Sequence, residues 1–302
     1  PDGTPRGGPI PWYQMDIAQI VKAQRDRGAG VVLLNHPRNG CNYLCLIGWD
    51  RITGLPTMTD EARLGLKPGA ALWTWTYDGL EYLNGFSGVF TRPEAPEASG
   101  VFEDWQAGLN HGHPWTAAGS SDSHSPEGIG YARSYFASST DDPAKALESD
   151  MVSAYVKGDV LVSAGAFARV EAVAGEAKAG MGETLKAVGG EVTLHVQIEA
   201  LPEIDVAYFD VFVNCDEVTA RTTTEPGGII KYVGDVPLTL TQDAHITVLA
   251  FGKNALPDWM DQADPVRVPR VTTNAIYVDV DGNGVFDAPG GKACAYTLGP
   301  PE

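Results

Sequence analysis

Val31-Val32-Leu33-Leu34-Asn35-His36-Pro37-Arg38 is the stretch that decides the fold. Four β-branched and aliphatic residues in a row, without polar alternation, read as a strand buried on both faces, which is the habit of a parallel sheet. The run ends in a polar, ionisable turn, and the carboxyl ends of parallel strands are where α/β proteins gather their chemistry. His36 is therefore a candidate ligand, although the same residue also reads as an ordinary turn histidine before proline.

Working outward, Asp16 precedes Ile17, Ile20 and Val21 at helical spacing, and Gly28 follows a basic last turn of Lys22, Arg25 and Arg27, as expected of a capped amphipathic helix. Residues 40–68 are loop-like. Trp73 to Tyr82 resumes apolar alternation and runs into Glu81-Tyr82-Leu83-Asn84-Gly85, a second strand end at which Glu81 and Asn84 face either the same mouth as His36 or solvent. A Pro/Glu/Ala/Ser spacer at 93–99 follows. Val101, Trp105 and Leu109 then mark a helix that Gly112 terminates, so His111 and His113 read as histidines favoured by the helix C-terminus rather than as a metal pair.

Trp115 to Ala118 leads into Gly119-Ser120-Ser121-Asp122-Ser123-His124. Residues i and i+2 of an extended segment share a face, so Asp122 and His124 can reach one cation. Such a pair alone is a weak signal. Arg133, a short loop further on, pairs either with an anionic substrate group or with a surface acid. Asp142-Pro143 opens a helix stopped by Gly158, and Val160 to Val162 is the next strand.

The alternation of helix and strand up to residue 168 implies a parallel sheet or barrel. Beyond it the pattern has period two: Val192, Leu194, Val196 and Ile198 alternate with polar residues, as do Phe209, Val211 and Val213, and Ile246 and Val248. Residues 169–302 therefore read as an antiparallel, sandwich-like β domain, with His195 and His245 on solvated faces. Near its end, Asp279-Val280-Asp281-Gly282-Asn283-Gly284-Val285-Phe286-Asp287 places oxygen donors at positions one, three, five, seven and nine of an EF-hand-type calcium loop, through Asp279, Asp281, Asn283, the Val285 carbonyl and Asp287. Position twelve is Gly290 where a glutamate is expected, and a plain turn between strands explains the same residues.

The formal net charge of −18 over 302 residues repels phosphate, which argues against a nucleic-acid or anionic-membrane surface. No apolar run approaches the ~20 residues of a membrane span. The start, Pro1 to Pro5, has neither the charge nor the apolar core of a signal peptide and reads as though cut from something longer. Cys41 and Cys45 are either a local disulfide, which a secreted or cell-envelope location permits, or free small apolar residues.

Taken in order, Asn35-His36-Pro37-Arg38, Leu80 to Gly85, Gly119 to His124 and Gly130-Tyr131-Ala132-Arg133 resemble the PHP-domain metallohydrolases, specifically the carbaryl-hydrolase-like group, over roughly residues 10–215. The Asp279–Asp287 stretch also looks like the tail of such proteins. The resemblance implies a distorted (β/α)7 barrel, here its C-terminal part in residues 1–168, followed by the β domain. It implies His36, Asp122 and His124 as ligands of zinc, manganese or iron, with metal-activated water attacking a small-molecule phosphoester, ester or carbamate; in such a site Arg38 and Arg133 are the residues available to bind the substrate anion, with Glu81 and Asn84 lining the pocket. The family's N-terminal HxH strand has no counterpart, since no histidine precedes His36. The missing half of the barrel is therefore expected from elsewhere in the same gene or from another chain. A secreted structural or assembly protein that retains a hydrolase scaffold without turnover is the alternative.

Overall fold

The computed structural model describes residues 10–85, 89–90, 96–124, 129–218, 222–223, 227–260 and 268–294. The start of the chain and of the 93–99 spacer lie outside them. Helix α1 (Ile17–Asp26) forms where the spacing predicts it: Asp16 accepts the Gln19 amide N–H at 2.9 Å while the Gln19 side chain accepts the Asp16 N–H at 3.0 Å. That reciprocal pair satisfies two of the donors a helix start leaves open. Strand β1 (Leu33–Leu34) follows, then a loop region with α2 (Tyr43–Leu46) and a small hairpin of β2 (Trp49–Asp50) and β3 (Leu55–Pro56).

Of the Trp73–Tyr82 alternation only its last residues become strand, as β4 (Gly79–Asn84). Trp73, Trp75 and Tyr77 instead pack with Trp49 and Trp115 in an aromatic cluster, ring centroids 5.1–6.1 Å apart. Helix α3 (Val101–Asn110) is buried along its whole length, and β5 (Thr116–Ser120) emerges after it. Strands β1, β4 and β5 form a three-stranded parallel sheet in the order β1-β4-β5.

The rest of the chain is mostly antiparallel sheet. Strand β6 (Arg133–Phe136), helix α4 (Glu148–Lys157) and β7 (Val160–Ala164) lead into β8 (Ala166–Ala174), β9 (Ala177–Ala179), β10 (Thr184–Lys186) and β11 (Glu191–Ala200). Then come β12 (Tyr208–Val213), β13 (Asp216–Glu217), β14 (Thr222–Thr223), β15 (Ile230–Thr239), β16 (Ala244–Phe251), β17 (Arg270–Thr273) and β18 (Ile276–Asp279). One sheet runs β15-β11-β8-β9. A nine-stranded sheet runs β10-β18-β16-β17-β7-β6, with β12 joined to β16 and carrying β13 and β14. Strands from both sides of residue 168 thus share one sheet.

The alternation in β11 holds, since Val192, Leu194, Val196 and Ile198 are all buried. Pro237 sits in β15, a sheet edge, where its missing N–H costs no ladder bond. Strand β16 is different: all eight residues are buried. One face meets the four-stranded sheet, and α3 covers the other, with Gln106 Nε2 donating to Thr247 Oγ1 at 3.0 Å. His245 is accordingly buried and 2.8 Å from Asn110 Oδ1, not solvated as its polar alternation suggests. His195 does lie at the surface, 2.5 Å from Asp235.

The architecture is mixed α/β, mostly sheet, with a sandwich-like antiparallel part. No closed (β/α)7 barrel forms among the described residues, because three parallel strands are too few to close one. Disulfides join Cys41 to Cys45 and Cys215 to Cys294. Among the described residues no helix is long and apolar enough to cross a membrane.

Candidate functional site

Parallel pairing of Leu34 with Leu80, and of Asn84 with Ser120, aligns the carboxyl ends of β1, β4 and β5. The turns that leave them carry His36, Asp122 and His124, and Glu81 and Asn84 lie in the last residues of β4. Glu81, 6% exposed, is the centre of this mouth. Its carboxylate accepts the His36 backbone N–H at 2.6 Å, the Asn84 side-chain amide at 2.9 Å and the Ser120 hydroxyl. A buried carboxylate so engaged fixes all three strand ends relative to one another.

His36 and Asp122 have positive φ, 29° and 47°, which is costly for residues bearing a Cβ. His36 Nδ1 lies 2.8 Å from the Asn42 side-chain amide. Asp122 and His124 approach to 3.5 Å and are open to solvent, the histidine side chain 88% exposed. His36 does not join them in a common ligand shell: among the described residues the only acidic or histidine cluster with all ligand atoms within 4.8 Å is Asp243, Asp279 and Asp281.

The two sequence-predicted arginines are placed elsewhere. Arg38 is buried and paired with Asp104 through Nε at 2.5 Å and Nη2 at 2.9 Å, and Arg51 completes the pairing at 2.8 Å. Arg38 therefore ties the turn to α3 rather than presenting a free cation. Arg133 pairs with Ser163 across β6 and β7, so it shares a face with Ser163, while Ser134 on the other face bonds Gly119. The β6–β7 layer thus separates the Arg133 side chain from β5.

Arg270 carried no signal in the sequence. It is 4% exposed, and its Nε and Nη1 atoms are buried without a hydrogen-bond partner. Alternation places it on the face of β17 that carries Thr272, whose hydroxyl donates to Tyr82 of β4 at 3.2 Å. Hence this guanidinium faces the layer that holds the mouth.

At the end of β18 the second candidate site takes shape. Asp279 accepts the Gly282 and Gly284 amides at 2.6 and 2.8 Å, and Asn283 Nδ2 reaches both Asp281 and Asp287, at 3.2 and 2.9 Å. Desolvation works to raise the Asp279 carboxyl, but those amides, first Gly284 and then Gly282, hold it below the usual carboxylate range. Asp243, missed in the sequence because it precedes β16, accepts the Val280 and Asp287 amides at 2.8 Å each and brings a third carboxylate to Asp279 and Asp281.

Compared with protein-family models, with curated proteins and with solved structures, the chain matches none.

Proposed function

We propose that the protein is a metal-dependent hydrolase of the PHP type, using the turns after β1 and β5 to hold zinc, manganese or iron. The observation that carries this reading is the left-handed backbone of His36 and Asp122 at the ends of the two strands that flank β4, with Glu81 of β4 accepting both the His36 N–H and the Ser120 hydroxyl between them. Strain of this kind, of order 1–3 kcal/mol per residue, is kept where a side chain must be aimed. Asp122 and His124 would bind one ion together, with His36 as a further ligand. Turning the Asn42 amide by half a revolution would give His36 Nδ1–H an acceptor and leave Nε2 free for metal. A divalent ion held there would supply hydroxide at neutral pH by lowering the pKa of its water towards about 7. Arg270 would supply the buried cation for a substrate anion, while Glu81 and Asn84 shape the mouth.

The family fold, a distorted (β/α)7 barrel, is completed in this reading by a further segment of the same gene or another chain that pairs with the open edge of β1 and adds the remaining ligands. The two disulfides support a secreted or cell-envelope location. At the second site, calcium held by Asp279, Asp281 and Asp287 with Asp243 would stiffen the sandwich end, Asp243 standing in for the missing carboxylate of position twelve.

The test is metal retention after expression with zinc, manganese or iron and exhaustive dialysis, followed by hydrolysis of bis-p-nitrophenyl phosphate and p-nitrophenyl acetate. We expect retained metal that His124→Ala and Asp122→Asn remove, and turnover that falls with it. The dispersal of His36 from the Asp122–His124 pair favours the second reading, a structural or assembly protein on a hydrolase scaffold. Absence of both retained metal and turnover would overturn the first.

A further inference from the structure

A cavity of ≈460 Å³ opens between the β6–β7 edge of the nine-stranded sheet and the strands β8 and β11, on the face of β6 turned away from the mouth. Its volume is in the range that holds small molecules, ~300–1,000 Å³. Tyr135 and Phe167 form one wall, edge to face at 5.6 Å, and Leu201, Ile204 and Trp259 continue it. Trp259 is 61% exposed at the lip, and Ile129 and Ile229, 72% and 60% exposed, line the same opening.

One guanidinium stands in the wall of this mixed polar and apolar cavity. Arg133 lines the cavity, its Nε is buried without a hydrogen-bond partner, and it forms no ion pair among the described residues. Glu199, the acid on the same wall, is already engaged by Arg169 at 3.7 Å and by the Gln197 amide. A buried N–H of a cation with nothing to donate to is costly, and an oxyanion is the partner that satisfies it best.

We propose that this cavity binds a small amphipathic anion, its carboxylate on Arg133 and its apolar body against Tyr135, Phe167 and Trp259. The site is independent of the metal reading, since it lies across the β6–β7 layer from β5.

The experiment is calorimetric titration of the protein with 4-phenylbutyrate and with its neutral counterpart, 4-phenylbutan-1-ol. Saturable binding of the carboxylate at one per chain is expected, with the alcohol at least about tenfold weaker, the factor that ~1.4 kcal/mol of charge-assisted hydrogen bonding supplies. Arg133→Gln should weaken the carboxylate by a similar factor and leave the alcohol unchanged; Asp122→Asn should alter neither. The comparison of the two ligands on the unmodified protein stands even if Arg133→Gln fails to fold. Equal binding of acid and alcohol, no saturable binding of the acid, or loss of it in Asp122→Asn would each overturn the proposal.

Discussion

The backbone N–H of His36 donates to the side chain of Glu81 across 45 residues of sequence, at 2.6 Å. The bond explains how a histidine before a proline keeps a left-handed backbone: the carboxylate holds the turn from beneath while Asn84 and Ser120 hold the carboxylate. Glu81→Ala strands three donors in a buried setting and should lower unfolding free energy by about 3 kcal/mol, read from urea titration. A loss under about 1 kcal/mol would show that the mouth is not braced as described.

Asp104 lies fully buried between two arginines, Arg38 and Arg51. Removing it leaves buried positive charge uncompensated, which costs about 3–5 kcal/mol. Asp104→Ala should therefore be among the most destabilising single changes in the chain. Arg51→Ala, at the more exposed end, should cost distinctly less. Thermal melts of the two variants check the order.

Burial, with the charge of Lys292 adding to it, depresses the His245 pKa to about 3. The native state therefore keeps the ring neutral while the unfolded chain binds a proton below its ordinary value near 6.5. The unfolded state binds more protons in that window, so this contribution is intact above pH ~6.5 and is lost as pH falls towards 3. Relative to His245→Gln, the unmodified protein should lose up to about 1.4 kcal/mol per pH unit between pH 6 and 4. Parallel slopes for the two proteins would place the ring in water.

Calcium at the β18 loop predicts a melting temperature that rises with calcium and not with magnesium. For a dissociation constant near 10⁻⁴ M, usual for extracellular modules, 10 mM calcium is ~100-fold in excess and stabilises by about 2.7 kcal/mol. Asp243→Asn and Asp279→Asn should each abolish most of the rise. If both variants respond as the unmodified protein does, the loop is a turn held by its own amides.

Much of this was legible one-dimensionally. The Asp16 cap, the aliphatic run before His36, of which only the half-buried Leu33 and Leu34 become strand, and the alternation of Val192 to Ile198 are local patterns, and local patterns reflect backbone geometry and the period at which side chains share a face. They placed α1, the β1 turn and β11, and they located every residue now seen at the mouth except Ser120, Asn42 and Arg270. What they could not show is which face another layer would cover. His245 alternates like a surface residue, yet α3 lies over it, because burial on the second face depends on a helix 135 residues away.

The same reason separates the arginines. Arg38, Arg133 and Arg270 are equivalent as letters, each a cation near a strand end. Tertiary packing gave the first to Asp104, turned the second into a cavity between sheets, and left the third buried and unpaired on the face that looks toward β4. Sequence by itself determined α1, β11, the polar turns after β1 and β5 and the acidic loop after β18, since hydrogen-bonded backbone and side-chain period are local properties. Tertiary structure alone decided which charges are neutralised and which await a partner, since the field at a buried group comes from residues remote in the chain.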